Sequence, residues 1–345
     1  MVSSPTIRDV SRLANVSVST VSAVINNKSI VHPETVARIN AAIDKLNYTP
    51  RRSARGLASG RSGNIGFILS EQFFSRTEPF YTKVFLGAEF EARKHDLYVL
   101  LTSVDKRYSC PRDLPRFLHE RNVDGLIIAG KVPSEALEDL KKFNIPVVLV
   151  DYGDPDFYGT RVLMDNIRGT VLAVRHLMVM GHRKIGYIGG ESDHPSARER
   201  IQGYREEMAR NGIEIQEKWV EISEPMMSLD AGERAFERLL ERGELPTALV
   251  CSNDAMAIGV LKNAERHGIS VPGNLSVVGF DDVTEGCMIT PPLTTIRVAK
   301  EDLGSMAIQT LVDVLGNGRP RLSEIRVGVE LIARSSTAVP RSNGR

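Results

Sequence analysis

Residues 6–26 read TIRDVSRLANVSVSTVSAVIN (Thr6–Asn26). Thr6 can cap a helix whose first turn carries Asp9, and Ile7, Val10, Leu13 and Ala14 recur at spacings of three and four, giving that helix one apolar face. Asn15 stands where a turn needs positive φ. Ser17 restarts the chain as an N-cap, with Val21, Val24 and Ile25 on the inward side of a second short helix. Val18, Ser19, Thr20, Ser22 and Asn26 are left facing outward, short enough to approach base edges and phosphates closely. Any two-helix hairpin with a polar outer face shares part of this pattern. The tight turn and the hydroxyl-rich second helix are the layout of a helix-turn-helix that reads DNA.

The neighbouring residues support that reading. Pro33 suits a helix N1 position, and Val36, Ile39, Ile43 and Leu46 are spaced to close a three-helix core before Asn47 ends the helix. Then follows YTPRRSARGLASGRSG, in which Tyr48 offers a phosphate-reaching hydroxyl and Arg51, Arg52, Arg55 and Arg61 form a basic tether. Residues 1–62 hold nine Lys/Arg against three Asp/Glu, a net +6, so with +1 for the whole chain the remainder carries −5. A basic head on an acidic body is the electrostatic footprint of a nucleic-acid-binding domain attached to something else.

The run from Thr6 to Gly63 resembles the DNA-binding headpiece of the Lac repressor family (LacI/GalR) of bacterial transcription regulators, and the resemblance continues through nearly the whole chain. Its carriers are VSVSTVS (Val16–Ser22), PETVARI, LNYTP and SARGLASGRSG leading into IGFIL (Ile65–Leu69). The resemblance implies that Val18 and Ser19 reach base edges in the major groove, and that Thr6, Ser17, Thr20, Ser22, Asn26 and Tyr48 contact phosphate. Two positions depart from the family. Ala23 stands where an Arg is common, which removes a bidentate reader of guanine and leaves an apolar contact such as a thymine methyl. His32 replaces a small capping residue.

Arg52 to Ala58 corresponds to the family's hinge helix. About two turns of helix are not stable alone in water, and Gly56 costs roughly a further 1 kcal/mol relative to Ala, so folding here is expected to couple to DNA binding. By resemblance Leu57 wedges into the minor groove and bends the duplex, with Arg52 and Arg55 beside it. The alternative is a leucine packed on the body.

From residue 63 short apolar runs alternate with amphipathic segments, which predicts an α/β fold with parallel sheets. The expected strands are IGFIL, YVLLTS, GLIIAG, PVVLVD, RVLMD, IGYIGG, LVCSND, SVVGFDD, TTIRV and IRVGVEL. Their number suggests two doubly wound lobes, and the resemblance implies lobes of periplasmic-binding-protein type with three crossings between them, near residues 162, 291 and 324. The expected organisation is an all-α headpiece at 1–50, a hinge and linker at 51–62, and an effector-binding and dimerisation domain at 63–340. Within the last, the N-lobe takes about 63–162 and 292–324, and the C-lobe about 163–291 and 325–340.

Ligands of open parallel sheets bind beyond the carboxyl ends of strands. PVVLVD ends in Asp151, LVCSND in Asn253 and Asp254, SVVGFDD in Asp281 and Asp282, and SARERIQGY brings Arg198 and Arg200 near a helix start. Carboxylates, an amide and a guanidinium suit the vicinal hydroxyls of a sugar. By resemblance Asp151, Arg200, Asn253 and Asp281 match effector-contacting positions, while Asp254 and Asp282 read as structural. For each of the four, capping of the following helix is the competing reading. The segment SEQFFSRTEPFYTKV (Ser70–Val84) is longer and more aromatic than the family's short NPFF-like stretch. Phe73, Phe74, Phe80 and Tyr81 can line the cleft and stack on a sugar ring, or serve as core and lid, with Arg76 and Glu78 available for hydrogen bonds. Where some relatives place a stacking aromatic, this chain has Met226 or Met227, after its single Trp219.

Other chemistries find little support. Dinucleotide and P-loop glycine patterns are missing, the seven histidines show no metal spacing, and Cys110, Cys251 and Cys287 are odd in number and unpaired by motif. No nucleophile elbow or paired acid/base motif appears, so neither enzyme activity nor a cofactor or metal is expected. With no membrane-span-length apolar run and no signal-peptide pattern, the expected location is the cytoplasm. That disfavours a sugar-binding transport protein, which also has no use for a basic headpiece.

A single headpiece makes few base contacts, so a homodimer on a pseudo-palindromic double-stranded operator is expected. After Arg334 the chain lacks a heptad pattern, so no tetramerising tail is expected. The favoured reading is a repressor released by a small-molecule effector, a sugar, bound between the lobes. Beside it stand a regulator that uses a corepressor or a phosphocarrier protein, and a DNA-binding protein with a ligand-blind body.

Overall fold

A computed structural model of the chain describes residues 5–25, 31–48, 61–71, 80–153, 157, 159–190, 194–224, 226–317 and 323–341. These form two compact units, a headpiece and a body that begins at Asn64. Asn26, Arg52, Arg55 and Leu57, and Phe73, Phe74, Arg76 and Glu78 of the aromatic segment, lie outside the described residues.

In the headpiece, helices α1 (Ile7–Ala14), α2 (Val18–Ile25) and α3 (Pro33–Leu46) close on Val10, Ala14, Val21, Ile39, Ala42 and Tyr48. The local signals act as read. The Thr6 backbone N–H and hydroxyl both donate to Asp9 Oδ2, at 2.9 and 2.6 Å, and Ser17 Oγ accepts from the Thr20 N–H at 3.0 Å. Asn15 and Asn47 end their helices with φ of 52° and 49°, a left-handed conformation that asparagine tolerates better than most residues. His32 precedes Pro33 without a side-chain cap bond. Leu13 departs from the expected apolar face and is 44 % exposed. Val10 and Ala14, one turn apart, set the inward direction, and Leu13 falls at the edge of that stripe.

The first sheet of the body contains β1 (Asn64–Ser70), β2 (Tyr98–Val104), β3 (Gly125–Ala129), β4 (Val147–Val150), β5 (Thr160–Met164) and β11 (Glu324–Val327), in the order β11-β5-β4-β3-β1-β2. All its pairings are parallel. Helices α4 (Phe80–Lys94), α5 (Arg116–His119), α6 (Ser134–Lys141) and α12 (Lys300–Asn317) belong to this half. The second sheet, also parallel, runs β7-β6-β8-β9 with β6 (Ile185–Gly190), β7 (Val220–Glu224), β8 (Ala248–Cys251) and β9 (Ser276–Val278). Around it lie α7 (Asn166–Val179), α8 (Pro195–Arg210), α9 (Leu229–Glu241), α10 (Asp254–Arg266) and the short α11 (Thr284–Met288). The body is therefore α/β, with two doubly wound lobes. Between them β10 (Thr295–Val298) pairs antiparallel with β12 (Val329–Ile332) and is bridged to Val278 and Asp281.

Two strands differ from expectation. IRVGVEL is not one strand: the chain leaves the first sheet at Val327, passes Gly328, and enters the β10–β12 pair at Val329. The strand VEISE (β7) was not expected, because Glu221 and Glu224 read as polar. Both are buried, and each is held by arginines of α9 and the residue after it: Glu221 by Arg238 and Arg242, Glu224 by Arg234 and Arg238. Charge compensation lets carboxylates stand in a sheet.

Helices α4 and α12 cross in near backbone contact. A Cβ built on Gly87 would meet the Glu301 carbonyl oxygen at 1.9 Å, and one on Gly304 would meet the Val84 carbonyl oxygen at 1.9 Å. Only glycine fits at this crossing, which fixes Phe80, Tyr81 and Lys300 at the helix ends beside the cleft.

Candidate functional site

The outer face of the headpiece is built by the capped start of α2. Ser17, Val18 and Ser19 are exposed, while Thr20, Ser22 and Ala23 are half-buried. Ser17 Oγ shares hydrogen bonds with Ser19 Oγ at 2.6 Å and Thr20 Oγ1 at 2.7 Å, so three hydroxyls form one polar cluster. Next to it is an open depression of about 600 Å³ lined by Arg8, Arg12, Asn15, Ser17 and Val18 among others. Sequence reasoning passed over Arg8 and Arg12; their i, i+4 spacing on the solvent side of α1 was the available signal. Thr6 is exposed at the start of α1, whereas the Tyr48 ring is only 8 % exposed and is part of the headpiece core.

The second cluster lies at the carboxyl ends of the body strands. β4 leads to Asp151, β8 to Ser252 and Asn253, and β9 through Phe280 to Asp281. Asp151, Asp281 and Asp282 have positive φ (57°, 108° and 54°), so the chain turns sharply as it leaves these strands. Arg200 of α8, 4 % exposed, joins them: Nη2 donates to Asp281 Oδ1 at 3.3 Å, Nη1 to the Ser252 carbonyl at 2.5 Å, and Nε to Asn166 Oδ1 at 2.9 Å. Its guanidinium stacks 3.9 Å from the Phe280 ring centroid. From the other lobe, the Tyr81 hydroxyl donates to Asp151 Oδ2 at 2.8 Å, and the Phe80 ring packs edge-on to Tyr81 with centroids 5.1 Å apart. The buried Lys300 ammonium donates to the Asp281 carbonyl and lies 5.8 Å from the Phe80 ring.

Of the expected residues, Phe80, Asp151, Arg200 and Asp281 thus come together. Asn253 is adjacent, but its amide is engaged by the protein. Oδ1 caps α10 through the Met256 N–H at 2.9 Å, and Nδ2 donates to the Met227 carbonyl at 2.8 Å. Ser70, Asn166 and Lys300 were not anticipated. Ser70 ends β1, and its buried hydroxyl finds no hydrogen-bond partner among the described residues. Asp282 is bound by Arg297 at 2.7 Å and Arg334 at 2.5 Å, as befits a structural role. Trp219 is buried with its indole N–H on the Glu244 carbonyl, and Met227 Sδ accepts from Ser252 Oγ at 3.1 Å.

Burial dominates the electrostatics. It pushes the Asp151 carboxyl up to about 6 despite Arg200 and the Tyr81 hydrogen bond. Asp281 is likewise raised by burial, with Arg200 and Lys300 opposing, and the Tyr81 phenol is raised well above its usual range by burial and then by Asp151. Burial lowers Lys300. Two carboxylates, a guanidinium and aromatic rings facing one another from both lobes can grip a small polar ligand by its hydroxyl and amine hydrogens and by its ring faces. No group of His, Cys, Asp and Glu suited to a metal ion occurs among the described residues, and none of their helices is long and apolar enough to cross a membrane.

Comparisons with known proteins cover both the headpiece and the body. The family described as bacterial regulatory proteins, lacI family, matches residues 6–51, and the periplasmic binding protein-like domain matches 174–337. The chain is 33 % identical over 334 residues to the HTH-type transcriptional repressor PurR of Photobacterium profundum, covering 96 % of this chain and 98 % of that protein. It is also 33 % identical over 336 residues to the repressor of the same name from Serratia proteamaculans, with 96 % and 97 % covered. Among solved structures, a lac repressor dimer bound to operator and the anti-inducer ONPF superposes with a TM-score of 0.83 at 29 % identity, covering 97 % of this chain and all of that one. A complex of the transcriptional regulator CelR with cellobiose gives 0.72 at 28 %, covering 96 % and 99 %.

Proposed function

The chain belongs to the lacI family of bacterial regulatory proteins, DNA-binding transcription regulators with an effector-binding body and not enzymes, and from that premise we propose that it is a cytoplasmic repressor released by a sugar. It binds a pseudo-palindromic operator as a homodimer through Thr6, Ser17–Thr20, Ser22 and Ala23 of the headpiece, with Asn26, Tyr48, Arg52, Arg55 and Leu57 completing the contact. The effector sits between the lobes on Phe80, Asp151, Arg200 and Asp281, with Asn253 beside them. The observation that carries this is the convergence of Tyr81-bound Asp151 from one lobe with Arg200-bound Asp281 from the other, acceptors and donors of the kind sugar hydroxyls take. The cellobiose bound by a relative supports the sugar.

The exposed apolar side chains Leu86 and Phe90 on α4 and Tyr98 and Leu101 on the edge strand β2 support a dimer formed through this part of the body. The organisation proposed is the headpiece at 1–50, the hinge at 51–62 and the two-lobed body at 63–340. The pairing of β10 with β12 supports a second crossing after Val298 instead of near 291.

The test is selection of bound DNA from a random pool at fixed salt, with and without a panel of sugars. A palindrome lost on addition of one sugar supports the proposal and names the effector. A palindrome recovered only with an added compound reverses the sign to a corepressor, and one indifferent to every addition points to a protein partner or a ligand-blind body. No enriched sequence defeats the DNA-reading assignment.

A further inference from the structure

We propose that Asn166 is a positioning residue that holds Arg200 in the cleft and ties it, through Glu199 and Arg326, to the two adjacent segments on which the chain passes between the lobes. This rests on the cleft being the effector site.

Asn166 follows β5 by two residues and opens α7, so it sits where the chain leaves the first lobe for the second. It is 3 % exposed, and its amide is split between opposite charges: Oδ1 accepts from Arg200 Nε at 2.9 Å, while Nδ2 donates to Glu199 Oε2 at 2.8 Å. Glu199 Oε1 in turn accepts from Arg326 Nη2 at 3.3 Å, and Arg326 Nε donates to Glu324 at 2.7 Å. Arg326 and Glu324 belong to β11, whose pairing with β5 brings the two crossings side by side; the Asp165 N–H reaches the Val327 carbonyl at 3.2 Å. An unbroken line of polar contacts therefore runs Asp281–Arg200–Asn166–Glu199–Arg326–Glu324.

Asparagine is suited to the middle of that line. One end must accept from a guanidinium and the other must donate to a carboxylate, which fixes the orientation of the amide. Aspartate would set a second carboxylate against Glu199, and alanine would leave Arg200 Nε–H without its acceptor. A ligand that draws Arg200 or Asp281 toward itself pulls on this amide, and with it on the Glu199–Arg326 ion pair that reaches from α8 to β11. Each link is a discrete hydrogen bond, so the line can have distinct made and broken arrangements.

The test uses the full chain without ligand. Arg200→Lys keeps the charge but removes Nε–H, and Arg326→Gln breaks the far end; the two side chains do not touch. Unfolding constants of the single and double variants, followed by Trp219 fluorescence, are expected to depart from additivity by about threefold or more, whereas uncoupled sites agree within about twofold. The departure should vanish when both changes are made in an Asn166→Ala background. Additivity, or coupling that survives Asn166→Ala, overturns the proposal. A second readout does not depend on stability: in 15N-arginine-labelled protein, Arg326→Gln alone should speed solvent exchange of the Arg200 Nε–H several-fold, and an unchanged rate also overturns it. If the line holds but Asn166→Ala leaves a sugar response of the operator complex intact, the cleft assignment is what fails.

Discussion

Asp254 is fully buried at the first turn of α10, next to the carboxylates of the cleft. Its Oδ2 accepts from the Val283 N–H at 2.8 Å, Thr295 Oγ1 lies 2.5 Å from Oδ1, and a Cβ on Gly279 would stand only 2.1 Å from Oδ1, so backbone closes the site. The cation that acts on it, Lys300, is bonded to the carbonyls of Asp281 and Asp282. Burial, and then the charge of Asp281, push Asp254 up to about 8. The unfolded chain releases this proton near pH 4. Between roughly pH 5 and 7 the folded state therefore holds one proton more than the unfolded state, and stability falls by about 1.4 kcal/mol per pH unit, or roughly 3 kcal/mol over that interval. The contribution is fully present below about pH 4 and is lost as pH rises to about 8.

Asp254→Asn keeps the shape and a carbonyl oxygen that can accept from Thr295 Oγ1, but it does not titrate. Urea denaturation followed by Trp219, which lies in the same lobe, should show the variant losing this slope, so that variant and parent converge or cross as pH rises. Parallel stability curves from pH 5 to 7 would mean that Asp254 stays ionised in the fold, held by Val283 and Thr295. A neutral Asp254 also spares Asp281 a like charge.

Other expected outcomes are simpler. Gly304→Ala places a methyl 1.9 Å from the Val84 carbonyl oxygen and should destabilise by about 2–3 kcal/mol despite alanine's better helix propensity, read as a lower urea midpoint with unchanged slope; an unchanged midpoint would show that the helices separate freely. Ser17→Ala removes the α2 N-cap and should cost the headpiece about 1 kcal/mol, measurable in its melting by circular dichroism. Burial lowers His182 and favours the neutral ring, against the opposing hydrogen bond of Nε2 to the Ala338 carbonyl; Nδ1 meets Thr247 Oγ1. Its contribution is present above about pH 6.5 and lost as pH falls, opposite in sign to Asp254, and His182→Gln should flatten the acid limb of the stability curve.

Short-range chain geometry is legible wherever one turn or one strand can settle it. The Thr6–Asp9 and Ser17–Thr20 caps close within three residues, the left-handed asparagines end their helices on local sterics, and continuous apolar runs announce strands covered on both faces. The polar residues that end those strands were visible too, because the carboxyl edge of a parallel sheet is where such side chains are exposed. Tertiary structure decided which of them meet. Tyr81 and Asp151 are 70 residues apart, and Arg200 and Asp281 are 81 apart, so no local pattern encodes either pair. Asn253 carries the same signal at its strand end, yet its amide is taken up by a helix cap and the Met227 carbonyl. β7 stayed hidden because its glutamates are made tolerable only by arginines of α9 and the residue after it, and IRVGVEL divided at Gly328 because two different sheets offered edges to its two halves. Local bonds depend on chain geometry alone, whereas a buried charge is acceptable only once the packed fold has brought its partner to it.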